Sequence, residues 1–296
     1  MRLWLKRACA IRNNRLLLSR GNDTRTPFQE RLGHPLFPSV VRLRERAQTV
    51  MAASTTTVSA VVEAARVLFE KRIPSAELTP KDIQGILAAL GRVTVAQVGL
   101  EEKKEEEERK KSPSGLLNMP FLEKKSSARA PITYYHIYEC PDFTVGIFCI
   151  PKDGDIPIHD HPDMTVCSKV LFGKVRVEAY DEAPDLQEQL QLENALVARK
   201  VRDDVVSEET GPFALFTKSN NIHRFSAVES CAIIDVLGPP YDSSEGREIA
   251  YYRETMKLKN VVDNNGAHDN VVVLEVVNPP SDYVVEGREY TGERAI

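Results

Sequence analysis

Short hydrophobic runs, several of them with a period of two, dominate the chain after residue 131. In the run FTVGIFCI the hydrophobic set on alternate positions is Phe143, Val145, Ile147 and Cys149. Further short runs lie at 174–180, 213–216, 231–237 and 271–277. Successive side chains of a strand point to opposite faces, so this pattern predicts strands with a buried face. Many short strands separated by Gly, Pro and Asp predict a mainly β sandwich or barrel without βαβ units.

Two helices are predicted ahead of the strands. The first has one apolar stripe at helical spacing and ends before Pro74; its members are Val58, Val61, Val62, Ala65, Leu68 and Phe69. The second is expected to begin at Thr79 as N-cap, with Pro80 and Asp82 in its first turn, and to stop at Gly91. Its predicted buried face consists of Ile83, Ile86, Leu87 and Leu90.

The chain of 296 residues is predicted to form one domain, 58–296, after an extension at 1–57. Basic residues greatly outnumber the three acidic ones in 1–50, and prolines interrupt any long helix there, which favours an unstructured extension. An organelle transit peptide is the alternative. The charged stretch 101–115 is interpreted as a solvated linker.

Composition excludes several classes of protein. A net charge of −4 gives no basis for nucleic-acid binding, and 42% hydrophobic residues suffice for a core. The five scattered cysteines indicate a reducing compartment rather than a disulfide framework. No apolar run approaches the roughly 18–20 residues that span a bilayer, so membrane insertion is not expected. We expect a soluble monomer of the cytoplasm and nucleus.

The strongest functional signal is the pair His159 and His161, bracketed by Pro157 and Pro162. If both lie in one strand, they share a face and can converge on one metal ion. His223, at the entry to another predicted strand, is the best candidate for a third ligand. A cluster of histidines satisfied by hydrogen bonds is the alternative. Other metal-binding barrels place a glutamate shortly after such a pair, whereas 164–167 here read Met-Thr-Val-Cys.

Three neutral imidazoles would leave a metal its full positive charge and several open positions, so that an anionic ligand such as a thiolate can bind directly. Asp163 is close in sequence but follows a predicted bend at Pro162 and need not reach the metal. His136 is separated from the pair by a whole strand, which favours a packed or surface histidine. Cys149 and Cys167 lie in apolar contexts and are predicted to be buried thiols that neither bind metal nor form a disulfide.

Three segments together resemble one known family. They are ITYYHIYECPDFTVGIFCIPKDGDIPIHDHPDMTVCSKVLFGKVRVEAYD at 132–181, NNIHRF at 220–225 and DVLGPPYDSSEGR at 235–247. The chain is similar over about 58–296 to the plant cysteine oxidases, relatives of cysteamine dioxygenase. It departs from their pattern at Asp163 and in TKSNNIH, which replaces a more glycine-rich approach to the third histidine.

The resemblance implies a cupin (double-stranded β-helix) barrel and one Fe(2+) ion held by His159, His161 and His223. It implies a dioxygenase that uses O2 to oxidise the N-terminal cysteine of target proteins to cysteine sulfinic acid, an oxidation that ordinary thiol reductants do not reverse. In this family the reaction senses oxygen, because it marks transcription regulators of the hypoxia response for the N-degron pathway. A dioxygenase of free cysteine or cysteamine is the alternative enzyme, and a metal-free cupin serving as a binding module is the alternative of another class.

Asp235 is a candidate catalytic residue, because its alternation with Cys231 and Ile233 places it on the predicted interior face of a strand. A buried carboxylate needs a partner, and the structural alternative is a hydrogen bond to the backbone or to Arg224. The resemblance implies that Asp235 interacts with the amine of the substrate, and that Tyr241, after the prolines at 239–240, lines the same mouth.

Overall fold

The computed structural model describes residues 56–100 and 130–295, except for 191, 193–194, 260, 264–265 and 269. Within this part of the chain, no helix is long and apolar enough to cross a membrane. Apart from Thr56 and Thr57, the predicted extension at 1–57 and the linker at 101–115 lie outside the described residues. The predicted domain boundaries stay a prediction.

Three α-helices are present in the described part: α1 Thr57–Phe69, α2 Gln84–Gly91 and α3 Pro184–Leu190. The side chain of Thr56 caps α1 by accepting a hydrogen bond from the main-chain N–H of Ser59 at 3.0 Å. The predicted apolar stripe of α1 is buried at every position. The first helix is therefore confirmed.

The second helix differs from its prediction at its start, which lies at Gln84 rather than Thr79. The main-chain N–H and the hydroxyl of Thr79 both donate to the carboxylate of Asp82, at 2.9 and 2.6 Å. Local hydrogen bonding of this kind stabilises a turn in competition with the helix. The end at Gly91 is confirmed.

Fourteen strands follow in the described residues. The first seven are β1 Ile132–Glu139, β2 Thr144–Ile150, β3 Asp155–His159, β4 Thr165–Phe172, β5 Lys174–Glu182, β6 Ala195–Ser207 and β7 Phe213–Leu215. The others are β8 Ile222–Ala227, β9 Cys231–Gly238, β10 Tyr251–Leu258, β11 Val261–Asp263, β12 Gly266–His268, β13 Val271–Val277 and β14 Val285–Arg288. All the short runs singled out in the sequence form strands.

The strands form two main layers. One is a six-stranded sheet in the order β14-β1-β2-β9-β4-β7. The other is a closed barrel in the order β10-β13-β6-β5-β8-β3, and β11 and β12 form a separate two-stranded sheet. Pairing is antiparallel except between β1 and β14. The predicted fold class, a mainly β cupin-type barrel with a short N-terminal helical pair, is confirmed.

The alternating pattern gives the six-stranded sheet two buried faces. One face packs against the barrel strands in a shared core that includes Ile150, Val170 and Ile233 from the sheet and Val177 and Phe225 from the barrel. The opposite face carries residues such as Val145, Ile147 and Ile234, which pack against the helices. The even and odd positions of β9 thus serve different cores.

Lys169 ties the helical pair to this sheet. It is 5% exposed, and its ammonium donates to the main-chain carbonyl of Val93 at 2.6 Å and to that of Gly91 at 3.1 Å. These carbonyls lie at and just beyond the carboxyl end of α2, where a cation is favoured by the helix dipole. The buried amine therefore anchors α2 on the outer face of β4.

Candidate metal centre

Two strands and one loop bring the predicted histidines together. His159 is the last residue of β3 and lies directly opposite His223 of β8 in the antiparallel register. His161 lies in the loop beyond β3, so the expectation of two histidines in one strand is wrong. The ring of His161 reaches the other two histidines from this loop.

The three rings form a compact group. Their centroids are 4.8 Å apart for His159 and His161, 4.6 Å for His159 and His223, and 4.9 Å for His161 and His223. One ring nitrogen from each residue lies within 4.8 Å of those of the others, and all three residues are buried. Their donor atoms are close enough together to hold one metal ion.

Main-chain carbonyls orient all three rings through Nδ1. His159 Nδ1 lies 2.8 Å from the carbonyl oxygen of Pro157, whereas His161 and His223 Nδ1 lie 3.3 and 3.4 Å from that of Asn221. A carbonyl oxygen can only accept, so these contacts place the proton on Nδ1. The lone pair at Nε2 of each ring is then available to a metal ion.

Burial also favours the uncharged imidazoles that metal binding requires. Desolvation lowers the pKa of His159 to about 4, with a smaller opposing effect of the Pro157 carbonyl. Desolvation, followed by the proximity of the other histidines, lowers the pKa of His161 and of His223 well below the usual value. The donor set consists of three neutral nitrogens and fits a divalent transition metal.

Asp160, between the first two histidines, fastens their loop to β10. Its carboxylate accepts hydrogen bonds from the main-chain N–H of Ala250 at 2.7 Å and from the hydroxyl of Tyr252 at 2.8 Å. The hydroxyl of Tyr241 donates to the Asp160 main-chain carbonyl at 2.8 Å. Asp160 is therefore committed to positioning the loop.

Two tyrosines flank the histidines. The ring of Tyr241 lies 5.5 Å from that of His161, and the ring of Tyr251 lies 6.3 Å from that of His159. Desolvation raises the pKa of Tyr241, with further contributions from Asp160, two tyrosines and Asp235. Tyr241 therefore adjoins the cluster and lies within electrostatic range of Asp235.

Asp235 occupies the middle of the interior face of β9. It is 6% exposed, and it lies opposite Gly146 of β2 on one side and Ser168 of β4 on the other. The absence of a side chain at Gly146 leaves room for the hydroxyl of Tyr134, which occupies the place a Cβ would take. Asp235 thus lies among polar groups within an otherwise apolar core.

No hydrogen-bond partner of Asp235 Oδ1 is present in the described part of the chain, and the same holds for Ser168 Oγ. Burial raises the pKa of Asp235 to about 7, and the nearby Ser168 hydroxyl opposes this rise. Arg224, the alternative partner considered from the sequence, instead donates to Asp155 at 2.7 Å. The alternative of a hydrogen bond between Asp235 and Arg224 is therefore wrong.

The other candidate residues lie outside the cluster. His136 is part-exposed, with its Nε2 3.7 Å from a carboxylate oxygen of Glu139. Asp163 is exposed, with a φ of 52°, which Asp tolerates better than most residues. Cys149 and Cys167 are free thiols whose pKa values burial raises, to about 11 and about 12. None of these four belongs to the histidine group.

Sequence reasoning missed the residues that hold the histidines in place, above all Asn221 and Asp160. Asp160 lies between His159 and His161, and Asn221 lies two positions before His223. This proximity to a histidine was the only signal that the sequence offered. The main partners of both residues are distant in sequence, since His161 lies 60 positions from Asn221, and Ala250 and Tyr252 lie 90 and 92 positions from Asp160. Ser168 and Tyr134 were missed for the same reason.

A cupin-type barrel with three buried histidines defines a class of proteins with a group of neutral nitrogen donors that could hold a metal ion. Within this class the assignment is specific, because a family model described as PCO_ADO matches residues 90–295. The chain belongs to this family of thiol dioxygenases. The matched range includes the three histidines, Asp235 and Tyr241.

Three relatives are similar to parts of the chain. Plant cysteine oxidase 1 of Arabidopsis thaliana is 39% identical over 141 residues, which cover 46% of this chain and 47% of the relative. Plant cysteine oxidase 2 of the same plant is 34% identical over 181 residues, covering 61% and 58%. Human 2-aminoethanethiol dioxygenase is 33% identical over 184 residues, covering 55% and 68%. The matches thus span about half the length of the two plant relatives.

Proposed function

We propose that the protein is an iron-dependent dioxygenase that oxidises the N-terminal cysteine of proteins to cysteine sulfinic acid. Both oxygen atoms of O2 are transferred to the sulfur, and the thiol proton remains on the sulfinic acid, so the reaction balances without an external reductant. His159, His161 and His223 would hold Fe(2+). The iron would supply O2 activation, which no side chain of the chain can perform alone.

The observation that carries this proposal is the composition of the histidine group. It contains three neutral nitrogens, and no carboxylate among the described residues joins it. The non-haem iron oxygenases with two histidines and one carboxylate have a negative ligand that offsets the metal charge. A neutral triad keeps the full charge and so favours an anionic thiolate as the reacting group.

The surroundings of Asp235 favour a substrate that carries an amine. Its unpartnered Oδ1 lies on the interior face of the sheet, and burial raises its pKa to about 7. An ammonium group brought by the substrate would pair with the carboxylate and compensate its desolvation. Asp235 Oδ1 can then accept the proton that the ammonium loses, since a base with a pKa near the working pH is suited to this role.

Tyr241 belongs to the same proposal. Its hydroxyl bonds to the main chain of Asp160 and its ring flanks His161, so it would line the mouth of the site. A free α-amine next to a thiol occurs at a protein N-terminus that begins with cysteine, and also in small aminothiols. Recognition of that amine would give the enzyme its selectivity for chain ends.

The alternative substrate is a small thiol such as free cysteine or cysteamine. The human relative is named 2-aminoethanethiol dioxygenase, which favours this alternative. The two plant relatives are named cysteine oxidases and are somewhat more similar in sequence. Oxygen sensing through oxidation of hypoxia-response regulators, in the cytoplasm and nucleus, is the corresponding cellular role in our proposal.

Comparing four substrates tests this assignment. Iron-loaded protein is given a cysteine-initiated peptide, the same peptide with an acetylated N-terminus, free cysteine, and cysteamine, and O2 consumption is followed. We expect consumption with the free-amine peptide and none with its acetylated match. Faster consumption with free cysteine or cysteamine than with the peptide would establish the alternative instead.

A further inference from the structure

Asn221 forms four hydrogen-bond contacts with the histidine group, three to His161 and one to His223. It immediately precedes β8 and lies two residues before His223. Its side-chain Oδ1 accepts a hydrogen bond from the main-chain N–H of His161 at 2.9 Å, and its Nδ2 donates to the main-chain carbonyl of His161 at 2.8 Å. The amide therefore holds both main-chain groups of a residue that lies outside any strand.

The main-chain carbonyl of Asn221 adds two further contacts. It lies 3.3 Å from Nδ1 of His161 and 3.4 Å from Nδ1 of His223. One residue thus contacts the main chain of one ligand and the rings of two. His159 is held differently, by the carbonyl of Pro157 within its own strand.

The residue type matters because the clamp needs an acceptor and a donor on one short side chain. Asparagine offers both, whereas ionised aspartate of the same shape can only accept. An aspartate would leave the His161 carbonyl without its donor and place a carboxylate oxygen against it. The neighbouring Asn220 offers a natural comparison, because within the described part of the chain its side chain donates to the hydroxyl of Ser219 and to no histidine.

We propose that Asn221 is a positioning residue of the metal centre, which fixes His161 relative to His223 and sets the Nδ1–H form of both rings. The proposal rests on metal binding by the triad, as in the proposed function. Some residues orient a metal-binding histidine by hydrogen bonding to it without touching the metal. Replacing such a residue typically lowers metal affinity by roughly 10–100-fold. Breaking the Asn221 amide clamp should cost affinity in this range.

Titration of the metal-free protein with Co2+ tests the proposal independently of catalysis. The variants are Asn221→Asp and Asn221→Ala, and the matched control is Asn220→Gly, which tolerates the positive φ of 56° at that position. We expect both Asn221 variants to bind Co2+ roughly 10–100-fold more weakly, with an altered visible spectrum, and the control to bind like the parent protein. Thermal unfolding of the metal-free proteins is measured alongside.

Parent-like Co2+ affinity and spectra in both Asn221 variants would overturn the proposal. Loss of cooperative unfolding in metal-free Asn221→Asp would also overturn it, because the residue would then serve the fold rather than the metal. The proposed function fails separately. If the parent protein binds Co2+ through the triad and its iron form does not oxidise thiols, the function is wrong and the role of Asn221 stands.

Discussion

Asp235 and Ser168 face each other across the pair of strands β9 and β4, and neither Asp235 Oδ1 nor Ser168 Oγ has a hydrogen-bond partner among the described residues. Buried polar atoms of this kind are rare in native proteins because each costs desolvation free energy. The Ser168 hydroxyl lowers the pKa of the Asp235 carboxyl, so these two groups interact with each other, and Asp235 Oδ1 remains the atom open to a ligand. The amine of the substrate would satisfy the carboxylate.

Replacing Asp235 tests its catalytic role. Asp235→Asn keeps the size of the side chain and removes its basicity, so we expect parent-like folding and iron content and a loss of turnover of roughly 100-fold or more. The measurement is O2 consumption with a cysteine-initiated peptide. Asp163→Asn is the matched control, because Asp163 is exposed and lies outside the histidine group. Full activity in Asp235→Asn would refute the assignment.

The stability of the metal-free protein should depend on pH through the same residue. Burial raises the pKa of Asp235 in the folded state to about 7, from an ordinary value of 3.8. The folded state therefore binds the Asp235 proton more tightly than the unfolded state does. The free energy of unfolding that this difference contributes is lost as pH rises from about 4 to about 7. Above that range the folded state carries a buried charge.

Asp235→Asn should remove this dependence. We expect the difference in thermal midpoint between the variant and the parent to shift in favour of the variant as the pH rises from about 4 to about 7. Comparing the two proteins cancels the titration of the groups that they share. A difference that stays constant with pH would contradict a raised pKa at Asp235.

The anchor of helix α2 gives a prediction on stability. Lys169→Met keeps the apolar stem and removes two charge-assisted hydrogen bonds to main-chain carbonyls that then lack this donor. We expect a loss of about 1–3 kcal/mol in the free energy of unfolding, measured by urea denaturation. Lys174→Met is the control, because its exposed pair with Glu229 contributes little. An equal loss of free energy of unfolding in the two variants would show that the hydrogen bonds of Lys169 contribute no more than an exposed ion pair does.

Tyr241 should affect the rate without affecting iron content. Tyr241→Phe removes one hydrogen bond to the main chain of Asp160, and we expect kcat/KM to fall roughly 2–10-fold, as the free energy of one such bond implies. Tyr138→Phe, which loses a contact to Arg66 near the helices, is the control and should behave like the parent. Reduced iron content in Tyr241→Phe would instead indicate a role in holding the metal.

Local patterns were sufficient to predict most of the elements and the faces they present. The alternation of β9 placed Asp235 on the same side as Cys231 and Ile233, and both of these residues belong to the core between the two layers. The apolar stripe of α1 was likewise predicted in full. These predictions succeeded because the periods of strands and helices are properties of short segments.

The supporting contacts could not be predicted, because they join residues that are far apart in the chain. Asn221 and His161 are separated by 60 positions, and Lys169 and Gly91 by 78. Neither contact leaves a periodic signal. The start of α2 was mispredicted for a local reason, since Thr79 bonds to Asp82 within a turn rather than capping the helix.

The most direct test is mass spectrometry of a cysteine-initiated peptide incubated in air with the iron-loaded protein, and repeated with heavy-isotope O2. We expect the product to gain two oxygen atoms at the N-terminal cysteine, both derived from O2, and we expect no product with His223→Ala. A peptide that stays unmodified, or gains oxygen equally with His223→Ala, would contradict oxidation at the three-histidine centre.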